Sequence, residues 1–168
     1  MADSRWRIVS LCCVVLMANG VMSSKELLSK MSTGFRNVAD GCQTELNIGD
    51  HITQDMINFW REEYELVNRD LGCMILCMAS KLGLMGDDQK MHHGKAEEYA
   101  KSHGADEGTA KQLVTMIHDC ETVHGALEDH CARVLEVSKC FRTKIHELKW
   151  APTMEVVIEE IMTAVANN

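Results

Sequence analysis

The chain has 168 residues and a formal net charge of −8, from 25 Asp and Glu against 17 Lys and Arg. Hydrophobic residues make up 46% and charged residues 25%, with a single proline, which excludes a natively disordered or low-complexity chain and fits one compact domain. The acidic balance argues against a nucleic-acid partner, whose phosphate backbone calls for clustered cationic charge.

Residues 1–7 carry two arginines, and residues 8–18 form an apolar run of eleven broken only by Ser10. Small residues follow at Val21 and Ser23, so residues 1–23 read as a secretory signal peptide, with Ser24 as the first residue of the mature chain. Cleavage after Gly20 fits the pattern almost as well. The run is shorter than the roughly 20 apolar residues that cross a bilayer, so the expectation is a soluble, secreted protein comprising residues 24–168. Loss of Asp3, Arg5 and Arg7 moves the net charge from −8 to −9.

The remaining elements read as helices. Leu27, Leu28, Met31, Phe35 and Val38 give the first helix an apolar face. Residues 43–68 lack a clean period and predict a short helix among loops. Helices follow near 69–82 and 93–102, bounded by Gly83, Gly86, Gly94 and the turn at Gly104. Asp106 is a good N-cap for a helix over 107–123, where Ala110, Leu113, Val114, Ile117 and Cys120 form one stripe. Val134, Val137, Phe141, Ile145 and Leu148 repeat that pattern over 130–148. No strand signal is present, and the fold class expected is all-α.

Six of the eight cysteines lie beyond the leader: Cys42, Cys73, Cys77, Cys120, Cys131 and Cys140. An even set in an oxidising compartment predicts three disulfides. The C-x3-C pair places Cys73 and Cys77 one turn apart on a helix face, so each pairs with another segment; 15 connectivities exist for six cysteines, and geometry alone does not choose among them. With every mature cysteine in a bridge there is no thiol nucleophile, no G-x-S-x-G or H-E-x-x-H is present, and His146-Glu147 reaches Trp150 without a second histidine. The chain therefore reads as no enzyme, with no cofactor and no metal.

The spacing Cys42-x30-Cys73-x3-Cys77-x42-Cys120-x10-Cys131-x8-Cys140 resembles the six-cysteine signature of insect odorant-binding proteins. Asn58-Phe59-Trp60, Asn68-Arg69, Gly72-Cys73, Met91-His92-His93-Gly94, the 101–107 block and Leu148-Lys149-Trp150-Ala151-Pro152 are similar to blocks of the lepidopteran pheromone-binding branch. The resemblance implies a six-helix bundle around an internal hydrophobic cavity, stapled by Cys42–Cys77, Cys73–Cys131 and Cys120–Cys140. It implies a secreted carrier of hydrophobic odorants or sex pheromones (long-chain aliphatic alcohols, aldehydes or acetates) in sensillum lymph. A general odorant or other lipid carrier of the same fold is the alternative, and a secreted helical signalling module with a filled core a more remote one. A small hydrophobic ligand is the partner implied; a homodimer and an encounter with an olfactory receptor or membrane surface stay open.

Matched by motif, the resemblance assigns the ligand wall to Phe35, Phe59, Trp60, Ile75, Leu84, Met91, Tyr99, Val114, Ile117, Val137 and Phe141, with Phe35 and Phe141 sandwiching the ligand. Many relatives carry a serine where this chain has Ala79, leaving Ser80, Ser32, Thr33 or Arg133 to meet a polar head group. Gly86 replaces a commonly acidic gate residue, so Asp87 or Asp88 is offered as a partner for Arg133. The resemblance also implies an acid-sensitive gate of His92, His93 and His118. With it goes a tail, about residues 152–168, whose carboxylates, including Glu155 and Glu160, keep it out of the cavity until they are protonated.

Overall fold

The structure is a computed structural model that describes residues 22–166, leaving out the side chains of 160, 161 and 163–166. The expected leader lies outside the described residues except for Met22 and Ser23. Helix α1 (Ser24–Arg36) opens on a capping box: the Ser23 hydroxyl accepts the Glu26 N–H, and the Glu26 carboxylate accepts the Ser23 N–H at 2.9 Å. It buries Leu27 and Leu28 and stops at Asn37, so Val38 does not extend the first helix as its apolar spacing predicts. Instead, Val38 begins α2 (Ala39–Leu46), which ends at Asn47 in the left-handed region with φ 50°.

The unpatterned stretch contains one short helix, α3 (Ile52–Ile57). Its loop is fixed by side chains reaching back to backbone and to one another. Buried Asp55 accepts from the Tyr64 hydroxyl at 2.7 Å and from Asn68 Nδ2 at 2.9 Å. The Arg142 guanidinium donates to the carbonyls of Phe59, Arg61 and Tyr64 at 2.9–3.2 Å. Desolvation lowers the pKa of Arg142 from its ordinary value, as expected for a cation partly withdrawn from water.

Four further helices carry side-chain caps, of which the sequence predicts only Asp106. Asn68 caps α4 (Arg69–Lys81), His92 caps α5 (His93–Ser102), Asp106 caps α6 (Glu107–His124) and Asp129 caps α7 (His130–Glu147). The tail forms α8 (Met154–Ala166), which packs against α1 and buries Val157 there. The described residues thus hold eight helices rather than six. The added two are α2, split off at Asn37, and the tail, which is helical here and packs on α1 with Val157 in the cluster of Leu27 and Leu28.

Cys42–Cys77 joins α2 to α4, Cys73–Cys131 joins α4 to α7, and Cys120–Cys140 joins α6 to α7, across sequence separations of 35, 58 and 20 residues. Chain-entropy arguments give each about 3 to 4 kcal/mol. Two buried clusters flank the centre. One is built around Leu27, Leu28, Trp60, Leu113 and Ile145, the other around Ile52, Leu66, Leu71, Met74 and Leu135. The space between them is not filled.

Candidate functional site

A cavity of about 220 Å³ borders both clusters and is walled by α1, α3, α4, α5, α6, α7 and the loops at 59–60 and 84–91. A void of that size costs about 5 kcal/mol in forgone packing. That exceeds the contribution of any one bridge and is less than the three together, which explains how so small a domain stays folded around it.

The wall is overwhelmingly apolar. All eleven side chains assigned by resemblance line it: Phe35, Phe59, Trp60, Ile75, Leu84, Met91, Tyr99, Val114, Ile117, Val137 and Phe141. Phe35 and Phe141 each pair with another ring rather than with one another. Phe35 meets Tyr99 edge to face at 5.8 Å, and Phe141 meets Trp60 at 6.5 Å. Also on the wall, and not assigned to it by the resemblance, are Met31, Met56, Leu113, Val134, Arg36, Ser138 and Glu121. The methionines supply flexible, polarizable surface suited to alkyl chains.

Two of the polar side chains facing this space, Tyr99 and Ser32, have partners already. Tyr99 donates its hydroxyl to the Met31 carbonyl at 2.8 Å, and burial pushes its pKa up to about 12, so the ring presents a neutral phenol. Ser32 donates to the Leu28 carbonyl at 2.8 Å and accepts the Trp60 indole N–H at 2.9 Å. Of the four head-group candidates, Ser32 alone lines the cavity. Ser80 is exposed and bonded to the Leu76 carbonyl, Thr33 turns to the Ser29 carbonyl, and Arg133 donates to the carbonyls of Leu127 and Gln89. Those carbonyls take the place of Asp87 and Asp88, the acidic partners expected for Arg133; Asp88 accepts the Lys90 N–H instead. Ala79 is buried in the wall and brings no hydroxyl.

At one edge of the cavity, residues 84–92 double back on themselves. Met85 and Met91 pair as an isolated bridge, and His92 N–H donates to the Leu84 carbonyl at 2.8 Å. Glu121 of α6 accepts the Met91 N–H at 2.8 Å and holds this rim in place. The three histidines that the resemblance assigns to a gate separate here. His93 and His118 meet edge to face, 4.8 Å between ring centroids. His92 instead uses its Nδ1 to accept the Lys95 N–H at 3.4 Å, capping α5. No described tail side chain lines the cavity. Glu155 sits in the first turn of α8 and is exposed, while the side chain of Glu160 is outside the described residues.

Residues 24–144 match the PBP/GOBP family. The chain belongs to that family. It is 44% identical over 145 residues to pheromone-binding protein 2 of Epiphyas postvittana, covering 86% of this chain and 88% of the relative. It is 33% identical over 149 residues to general odorant-binding protein 2 of Heliothis virescens, covering 89% and 91%. The crystal structure of Epiphyas postvittana pheromone binding protein 3 superposes with a TM-score of 0.63 at 51% identity, spanning 68% of this chain and 98% of that one. Membership of a family of odorant carriers means that the protein is not an enzyme. Among the described residues no helix is long and apolar enough to cross a membrane.

Proposed function

We propose that this protein carries one small, elongated hydrophobic molecule, a pheromone or odorant with a long aliphatic chain, enclosed between α1, α4, α6 and α7. The observation that carries this reading is the largely apolar cavity, on whose wall Ser32 and Tyr99 donate their hydroxyl protons to backbone carbonyls of the protein itself. Such a wall attracts alkyl groups and offers little to a polar solute. A twelve-carbon chain buried at about 0.8 kcal/mol per methylene gains about 10 kcal/mol before ordering and immobilisation are deducted. The relatives named for pheromone binding and for general odorant binding support the same class of cargo.

Displacement of a hydrophobic fluorescent probe tests the reading. Long-chain alcohols, aldehydes and acetates should compete at micromolar concentrations or below, whereas short polar solutes should not. A chain acting as a signalling module with a filled core would bind neither probe nor competitor.

Transport through aqueous lymph requires secretion, for which residues 1–23 supply the signal. Delivery requires release, and the tail offers an acid-sensitive device. Glu155 and Glu159 keep α8 anionic; once they are neutral, its Met, Val and Ile side chains are free to compete for the cavity, because burying a carboxylic acid costs far less than burying its anion. The exposed Ile158 and Met162 show that α8 has apolar surface left over when it lies on α1.

A further inference from the structure

We propose that His93, His118 and Glu121 form a divalent-cation site, matched best to zinc, that clasps the rim of the cavity. His118 and Glu121 stand three residues apart on α6 and so share a face, and the first residue of α5 brings His93 against them. One ligand atom from each residue lies within 4.8 Å of the other two. Two imidazole nitrogens and a carboxylate oxygen are the donor set zinc prefers, and three protein ligands leave its fourth position for water.

Ligand atoms on one tetrahedral zinc at about 2.0–2.1 Å lie about 3.3 Å apart. The three groups therefore need to draw together by about 1.5 Å at most, a movement within reach of torsions in two exposed histidines. The carboxylate is oriented beforehand, since one of its oxygens already accepts the Met91 N–H at 2.8 Å. His92 stays out of the set because its Nδ1 caps α5. The protein's net charge of −8 favours capture of a cation.

An ion held here joins α6 to the start of α5 and, through Met91, to the doubled-back segment that contains Met85. Both methionines line the cavity, so the clasp stiffens a part of the wall that a ligand has to pass or displace.

Zinc chloride titrated into tag-free protein near neutral pH, in competition with a chromophoric zinc indicator, should show one ion bound per chain at micromolar concentration or tighter. His93→Asn and His118→Asn should each weaken it about 10-fold or more, with helicity by circular dichroism unchanged. His51→Asn, beside Asp70 and remote from α6, should not. Cobalt(II) in the same site should give visible ligand-field bands that disappear in His118→Asn. Zinc should also slow the release of a preloaded fluorescent probe, N-phenyl-1-naphthylamine, in the unmodified protein and not in His118→Asn. No stoichiometric binding, binding that survives both histidine substitutions, or probe release unchanged with zinc bound would overturn the proposal.

Discussion

A Cβ built on Gly72 falls on the backbone carbonyl of Cys131 and within 3.0 Å of Leu135 Cβ. The glycine is what lets α4 and α7 approach to a Cα separation of 4.5 Å at the neighbouring Cys73–Cys131 bridge. Because the clash is with backbone, no side chain can turn aside to relieve it. Gly72→Ala should destabilise the fold by about 1–3 kcal/mol and lower the melting temperature by several degrees. An unchanged melt would mean that the two helices have room to separate.

The loop at 58–68 depends on the buried Asp55. Asp55→Ala strips partners from Tyr64 and Asn68 and should cost about 1–3 kcal/mol in a denaturant titration. The hydrogen bond from Tyr64 also raises the pKa of its phenol, so the same substitution should shift the Tyr64 titration back toward its ordinary value, read by ultraviolet difference spectroscopy.

Ser32 has donated its only proton and taken one N–H, leaving a lone pair on a hydroxyl at the cavity wall. An alcohol can donate to that lone pair; an aldehyde or an acetate cannot. Ser32→Ala should therefore weaken a long-chain alcohol more than the matching acetate, by about 1 kcal/mol of selectivity, measured by competitive displacement. Equal losses would place the head group elsewhere.

Glu155 makes the start of the tail helix sensitive to acid. Its own backbone N–H and then the Thr153 hydroxyl bond the carboxylate and hold its pKa below the ordinary value of 4.5. A group with a lowered folded-state pKa stabilises above the unfolded value, and that stabilisation is lost as pH falls through the lowered one. The first turn of α8 should thus be steady from neutrality down to about pH 4.5 and weaken below it, which loosens the tail at its attachment to the rest of the chain. Full-length protein should lose a bound probe below that point, and protein truncated after Pro152 should keep it. If both lose the probe alike, the tail is not the plug.

Helices α6 and α7 were legible from their apolar stripes and the Asp106 cap, and α4 and α5 from the glycines that bound them; the caps at Asn68 and Asp129 emerge from the structure. The break at Asn37 was not, since Val38 continues the apolar spacing and neither glycine nor proline marks the stop. Residues 58–68 carry no period because their order comes from side-chain hydrogen bonds to Asp55 and from Arg142, about eighty residues away in sequence, and neither leaves a periodic pattern. Periodicity could not separate cavity wall from ordinary core, as both are stripes of the same residues; the family resemblance did that. Glu121 escaped notice for a related reason: an acidic residue on a helix reads as solvated surface until the fold sets it against Met91.

The account rests on the void being the place where the ligand sits. Val137 lines it from α7, and Val137→Phe fills part of it from within. Affinity for the hydrophobic probe should fall about 10-fold or more, while the melting temperature holds or rises, because filled volume recovers roughly 24 cal/mol per Å³. A stable variant that binds probe and long-chain alcohol as tightly as the unmodified protein would contradict the central claim and move the ligand to another surface.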